Sequence, residues 1–519
     1  MTSQKTAVQP GLPKETQSLC PECNTILKAT IYEKNGKVLM KKTCKQHGTF
    51  EDTYWSDVTM YLKAENWAHD GKGVSNPQIP HAQVCPQECG LCDLHLSHTS
   101  LALIDLTNRC NLQCPICFAN ANAAGYVFEP SYDQIVKMME MLRAEQPVPC
   151  KALQFAGGEP TIYPQFFEVI AKAKELGFAQ IQVATNGLKM ADLAFCQKMK
   201  DAGMNTIYLQ FDGLTEQNYI QTRGRKLLDA KLKVIENCRK VKPKPLSTVL
   251  VPTVVKTIND DQVGEIVKFA IKNSDVVRGV NFQPVSFTGR IDNKQLEQQR
   301  YTIPDLISDL EKQTDFLQKD DFYPVPVVTP ISDLISVLSG REEITFTAHP
   351  HCGYATFVFI HDGKVTPIPR FVNIEGLFHR MEELTVKVKK YKLLIKLFKS
   401  VQKKTDLGKL FDKYFGEFID KNKMPEGIDI VDILSTVAME KDKKSVGEFA
   451  WKTMLIGAMH FQDSYNYDIE RVKRCVVHYA TPDMRIIPFC AYNGGPTYRT
   501  EVEKKFSTPL SEWKKREKQ

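Results

Sequence analysis

The chain has 519 residues, 42% hydrophobic and 25% charged, an ordinary globular composition in a length that exceeds a single core and implies a large domain flanked by smaller ones. Its net charge is +7 and no window approaches the roughly 20 consecutive apolar residues of a membrane span, so any contact with lipid must be made from the surface. Met1 to Lys14 lacks the apolar stretch of a secretory signal, which predicts a cytoplasmic location. In that reducing compartment the 15 cysteines read as metal ligands or buried thiols. Cys150, Cys196 and Cys238 sit in apolar or helical contexts and are expected in the core; the others form four groups of three.

Residues 1–60 carry Cys20, Cys23, Cys44 and His47, whose C-x2-C-x20-C-x2-H spacing suits a tetrahedral zinc or iron ion in a rubredoxin- or zinc-ribbon-like knuckle. Between the ligand pairs the alternating stretch ATIYEKNGKVLMKKTC, with Asn35-Gly36 at its middle, predicts a hairpin. Residues 61–99 hold a linker with Gly71, Gly73, Pro77 and Pro80, then Cys85, Cys89 and Cys92. This second knuckle is expected to bind an auxiliary iron–sulfur cluster, with His95 a candidate fourth ligand.

From residue 100 to 290 short apolar runs alternate with helical stretches. The runs LALIDL, ALQFAGG, IQVATNG, TIYLQFDG, TVLVPTVV and GVNFQPV predict six strands of a parallel sheet. YDQIVKMMEMLRAEQ, FFEVIAKAKELG and DLAFCQKMKDAG predict helices between them, the last two stopped by glycine. Residues 291–519 are expected to be mostly helical, apart from a β-like piece, ATFVFIHDGKVTPIPRFV. There Cys352, Cys475 and Cys490 sit beside turn residues where ligands to one further cluster could converge.

Cys110, Cys114 and Cys117 follow the first predicted strand in the loop TNRCNLQCPICF, spaced C-x3-C-x2-C. Three thiolates hold three irons of a [4Fe–4S] cubane and leave the fourth open, where the amine and carboxylate of S-adenosylmethionine can chelate. The Cys85 set has the same spacing, but only the Cys110 set follows a strand and is answered, at the end of the next one, by Gly157-Gly158-Glu159-Pro160. The glycines would let backbone approach a ligand and Glu159 would accept from an ammonium group.

TNRCNLQCPICF and QFAGGEP resemble the radical S-adenosylmethionine (radical SAM) superfamily over roughly Leu101 to Thr288. The resemblance implies an α/β fold, a partial (βα)6 TIM-like barrel. It places the methionyl moiety on Gly157, Gly158 and Glu159, with Asn186, Gln210 and Asp212 lining the same pocket. The whole chain, including VNFQPVSFTGR, HCGYATFVF and RIIPFCAYN, is similar to the archaeal tetraether synthase family. That resemblance implies C–C bond formation between terminal carbons of isoprenoid chains, with archaeal ether phospholipids as substrates, a peripheral position on the inner membrane face and a low-potential electron donor such as ferredoxin. A basic amphipathic pattern from Glu383 to Lys404, with Val388, Tyr391, Leu394, Ile395 and Phe398 among lysines, agrees with a helix lying on anionic lipid. Relatives in the same neighbourhood imply instead a methyltransferase acting on a dihydropterin in methanopterin biosynthesis. The lipid alternative predicts a long apolar tunnel and the pterin alternative a compact polar pocket. An RNA-modifying radical enzyme is a third alternative, opposed by lysines that run with aliphatic rather than aromatic residues, so no nucleic-acid partner is expected.

Overall fold

A computed structural model describes residues 8–361, 363–390, 412–426, 451–495 and 498–516. The N-terminal ribbon is a four-stranded antiparallel sheet, β1 (Lys14–Leu19), β2 (Ile26–Lys34), β3 (Lys37–Cys44) and β4 (Gly48–Trp55). Asn35 and Gly36, at φ 55° and 76°, make the expected two-residue turn between β2 and β3, because both positions need the left-handed backbone that these residue types tolerate. The β1–β2 and β3–β4 turns, at the end of the ribbon opposite Asn35-Gly36, bring Cys20, Cys23, Cys44 and His47 together, with all four ligand atoms within 4.8 Å of one another. His47 offers Nδ1, 3.6 Å from the Cys20 sulfur and 3.5 Å from that of Cys44. Donors this close, with three sulfurs and one ring nitrogen around a common centre, fit a single tetrahedral ion and not a cubane.

All six expected barrel strands are present and parallel: β5 (Leu101–Thr107), β6 (Ala152–Gly157), β7 (Gln180–Thr185), β8 (Thr206–Gln210), β9 (Ser247–Val251) and β10 (Val277–Pro284), paired in that order. Helices Tyr132–Arg143, Phe166–Glu175 and Leu193–Ala202 fill the predicted crossovers. The first starts with a reciprocal Ser131/Gln134 capping box, and its buried stripe of Ile135, Met138, Met139 and Leu142 recurs at helical spacing against the sheet. Cys150, Cys196 and Cys238 are fully buried, as expected.

The sheet continues past the six strands. β12 (Thr453–Met459) pairs parallel with β10, β11 (Gly353–His361) lies antiparallel beside β12, β13 (Val477–Ala480) pairs parallel with β5, and β14 (Ile486–Pro488) closes that edge. The C-terminal region, expected to be mostly helical, therefore also supplies strands to both edges of the barrel. Runs as short as VHYA and IIP carry too few residues to show a period of two. The β-like piece after Cys352 is the antiparallel pair Gly353–His361 and Lys364–Pro367.

Of the expected lipid-facing stretch Glu383–Lys404, the residues up to Lys390 are described. Helix Ile374–Lys390 buries Leu377, Phe378, Met381, Leu384 and Val388 against Trp67, Phe359 and Phe371, so its apolar stripe faces the protein's own core. Tyr391, Leu394, Ile395 and Phe398 lie outside the described residues. Among the described residues no helix is long and apolar enough to cross a membrane.

One buried cation bolts the ribbon to the rest. Arg300 donates from Nη1 to Asp463 at 2.6 Å and from Nη2 to Asp52 on β4. Burial would raise both carboxyls; the guanidinium holds Asp463 below its ordinary range, while desolvation still prevails at Asp52. Arg300→Met strands two buried carboxylates, and a loss of about 3–5 kcal/mol is expected, read as a large fall in thermal midpoint. For the ribbon itself, His47→Ala is expected to release one metal ion per chain and to expose the ribbon, but not the barrel, to limited proteolysis.

Candidate functional site

The Cys110–Cys117 segment has no regular structure, so donors from outside fix its shape. Asn122 accepts the Cys110 amide on Oδ1 at 2.9 Å and donates from Nδ2 to the Cys110 and Leu112 carbonyls at 2.8 and 3.2 Å. Arg290 holds the other side, its amide on the Cys117 carbonyl at 3.0 Å, Nη1 on the Cys114 carbonyl at 3.0 Å and Nη2 on the Ala121 carbonyl. Gly289, at φ +74°, is the only residue type that fits before it, since a Cβ would lie 2.3 Å from the Cys117 carbonyl oxygen. Backbone amides of Leu112 and Ala121 approach the sulfurs of Cys110 and Cys117, each at 3.4 Å, as thiolate acceptors require.

The Gly157-Gly158-Glu159 turn is zipped onto the segment that leads into this loop. The Gly158 amide donates to the Thr107 carbonyl at 2.7 Å and the Glu159 amide to that of Arg109 at 2.9 Å; a Cβ on Gly158 would lie 2.2 Å from the Arg109 oxygen. The glycine is thus demanded by chain-on-chain contact, where the sequence suggested contact with a ligand. Glu159 is also placed differently from expectation. Its Oε1 accepts from the Thr161 and Thr185 hydroxyls at 2.6 and 2.7 Å and its Oε2 from the Asn186 amide at 2.8 Å, so the carboxylate is filled by protein donors behind the site.

A cavity of about 290 Å³ opens at the C-terminal ends of the barrel strands and runs down into the lumen, the position at which parallel αβ barrels place their chemistry. Cys110, Cys114, Cys117, Gly157, Gly158, Asn186 and Gln210 line it. Asp212 does not. It is fully buried and gripped by Arg223, with Nε to Oδ2 at 2.5 Å and Nη2 to Oδ1 at 2.9 Å, and the guanidinium of that arginine lines the cavity in its place. Lys231, also fully buried, donates from Nζ to the Asn186 carbonyl at 2.5 Å and to Gln210 Oε1 at 2.6 Å. Burial drives its ammonium down to about 7, against the pull of Asp212. Sequence reasoning missed Asn122, Arg223, Lys231 and Arg290. Arg290 alone had a visible signal, as the last residue of the noted VNFQPVSFTGR stretch.

The donor set fits an iron–sulfur cluster. Burial pushes the Cys110 thiol up to about 12, with the charges of Glu159 and of the neighbouring thiols adding to it, and burial also raises Cys114 against the counter-pull of Arg223. Thiols held this way bind as thiolates to a cationic metal core. They are not drawn into a mononuclear cage either: the Cys20 group is the only set of three or more ligands within 4.8 Å of one another among the described residues.

The second knuckle is tied down by Tyr498, whose hydroxyl accepts the Cys89 amide at 3.1 Å and donates to the Pro86 carbonyl. Burial raises the thiols of Cys85, Cys89 and Cys92, and thiolate charge at Cys475 acts on Cys89. Cys475 and Cys490, distant in sequence, pack in one cluster, and the Cys490 sulfur accepts the Gln462 amide at 3.4 Å two residues after His460, whose amide donates to the Cys352 carbonyl at 3.0 Å. The His95 Nε2 nitrogen is committed to the Cys475 carbonyl at 2.8 Å, with His478 Nε2 3.1 Å away.

Comparison with known proteins agrees with this geometry. Residues 104–270 match the radical SAM superfamily model, and residues 12–56 match the HMPTM N-terminal zinc ribbon domain. The 7,8-dihydro-6-hydroxymethylpterin dimethyltransferase of Methanocaldococcus jannaschii is 48% identical over 513 residues, spanning 98% of both chains. The GTP 3',8-cyclase of Clostridium acetobutylicum is 22% identical over 51% of this chain and 78% of its own. Among solved structures, Streptococcus suis SuiB bound to S-adenosylmethionine matches 43% of this chain and 48% of its own at 18% identity and a TM-score of 0.35. The expectation of isoprenoid lipid coupling is corrected by the first of these relatives, which is named as a pterin methyltransferase across nearly its whole length. The chain is a radical SAM enzyme and belongs to the family of the Methanocaldococcus jannaschii 7,8-dihydro-6-hydroxymethylpterin dimethyltransferase.

Proposed function

We propose that the protein is a radical SAM C-methyltransferase acting on a dihydropterin of the 7,8-dihydro-6-hydroxymethylpterin type. The 48% identity over 98% of the chain carries this reading. The lumen supports it. Gln154, Tyr208, Asn281 and Gln283 present amide and phenol groups into the cavity, and apolar Leu103, Ile116, Phe461 and Phe489 lie among them. A pterin edge alternates donors and acceptors around a flat ring, which amide side chains can match and apolar walls can sandwich.

Cys110, Cys114 and Cys117 would hold the [4Fe–4S] cluster, with Gly157, Gly158, Asn186 and Gln210 around S-adenosylmethionine. When bound, the cluster and S-adenosylmethionine supply a radical able to take hydrogen from an unactivated carbon. The protein's own part is positional. Asn122 and Arg290 keep the thiol loop in one shape. Arg223, held by Asp212, presents a fixed cation toward the ligand carboxylate. Lys231 orients the Asn186 and Gln210 side of the pocket. The Cys85, Cys89, Cys92 and Cys352, Cys475, Cys490 sets would carry auxiliary clusters, supplied with electrons by a low-potential donor of the ferredoxin type, and the Cys20 site a zinc ion.

With anaerobically reconstituted protein, dithionite, S-adenosylmethionine and 7,8-dihydro-6-hydroxymethylpterin deuterated at its carbon positions, deuterium is expected to pass into 5'-deoxyadenosine. Deoxyadenosine formed without deuterium would overturn the pterin assignment. Cys114→Ala is expected to abolish deoxyadenosine formation altogether. Lys231→Met, which frees both Asn186 and Gln210, is expected to weaken S-adenosylmethionine binding about tenfold, with iron content unchanged. Equilibrium dialysis and iron analysis on the same sample separate the two effects.

A further inference from the structure

Four arginines are buried among the described residues: Arg223, Arg300, Arg471 and Arg474. Three have carboxylate partners. Arg223 holds Asp212, Arg300 holds Asp52 and Asp463, and Arg474 holds Asp70 and Glu470. Arg471, 1% exposed, has no carboxylate within 4.0 Å among the described residues. Its Nε donates to the Cys352 sulfur at 3.3 Å, its Nη2 donates to the His460 carbonyl at 2.6 Å, and its guanidinium lies 5.8 Å from the centroid of the Tyr54 ring. Its Nη1 has no hydrogen-bond partner.

A guanidinium cannot shed its proton to escape desolvation, so a buried one needs an anion. The candidates facing this one are thiols. Among the described residues the Cys352 sulfur is the one side-chain hydrogen-bond acceptor this guanidinium has. Neutral thiols would leave the cation unbalanced, whereas thiolates around an iron–sulfur core keep a net negative charge in both oxidation states. A second orphan stands nearby. The hydroxyl of Tyr467, fully buried and without a partner, belongs to the buried cluster that holds Cys89 and Cys490, with Cys85 and Cys475 packed against it, as a donor awaiting an acceptor. These groups stand behind the wall of the main cavity, since Phe489, the residue before Cys490, lines that cavity and stacks on Phe461 at 3.9 Å.

We propose that Arg471 is the counter-cation of an iron–sulfur cluster held by Cys352, Cys475 and Cys490, and that its fixed charge makes that cluster easier to reduce. The proposal rests on the auxiliary-cluster assignment above and is independent of the pterin substrate. On reduction one electron from an external donor such as dithionite enters the cluster, no bond breaks, and the added negative charge is stabilised by the adjacent guanidinium. Arg471 touches neither substrate nor S-adenosylmethionine in this role; it sets the energy of a neighbouring group.

The full-length protein, Arg471→Met, Arg471→Lys and the triple variant Cys352→Ala, Cys475→Ala, Cys490→Ala are reconstituted anaerobically. Iron and zinc per chain and dithionite titrations followed by electron paramagnetic resonance are then compared. The triple variant is expected to lose one cluster's iron and keep its zinc; unchanged iron would overturn the cluster assignment and the proposal with it. In Arg471→Met the signal absent from the triple variant is expected to titrate at a more negative potential, with Arg471→Lys close to wild type. Loss of that iron in Arg471→Met but not in Arg471→Lys supports the proposal equally, because charge is what distinguishes the two. An unshifted titration in Arg471→Met, or the same change in both variants, would overturn it.

Discussion

Everything at the active end of this molecule depends on holding three thiols at fixed positions on a loop that has no hydrogen-bond ladder of its own. The solution is a set of donors aimed at the loop carbonyls. Asn122 grips Cys110 and Leu112, and Arg290 grips Cys114, Cys117 and Ala121 from a segment about 170 residues away in sequence. The Gly158 turn then presses onto Arg109 at a separation that only glycine permits. A loop built this way is rigid without being regular, which is what a metal site needs from its ligands.

Buried charge forms the second layer of organisation. Arg300 joins ribbon to barrel through Asp52 and Asp463, Arg223 is braced by Asp212 at the cavity, and Arg474 is neutralised by Asp70 and Glu470. Each pair converts an expensive desolvated ion into a specific contact between segments distant in sequence. Among the described residues, the one buried guanidinium outside this scheme faces sulfur, and the chemistry inferred for that region follows from the exception.

The barrel was legible because its signals are local. Six apolar runs bounded by turn residues correspond to six parallel strands, and Asn35-Gly36 names its own turn type. The added strands Val477–Ala480 and Thr453–Met459 were not legible, since they are strands only by virtue of pairing with Leu101–Thr107 and Val277–Pro284. The lysine-flanked stripe of helix Ile374–Lys390 shows the reverse failure. An amphipathic pattern states that one face is apolar and leaves open what covers it, and here Trp67, Phe359 and Phe371 do.

Within the candidate site the same division holds. Spacing alone determined which cysteines share a turn, because ligands two or three residues apart must be neighbours, and so the Cys20, Cys85 and Cys110 groups could be drawn from the sequence. Cys352, Cys475 and Cys490 lie too far apart in sequence for spacing to join them, and their grouping stays an expectation. Glu159 was chosen as an acceptor and Asp212 by position in the resembled family, yet tertiary contacts turn both carboxylates away from the cavity and into protein donors. Asn122, Arg223, Lys231 and Arg290 act at a distance from the motif they serve. A sequence fixes the chemistry of each side chain and the geometry of its near neighbours; which donor meets which acceptor across the barrel is decided by the packing of elements that no local pattern encodes.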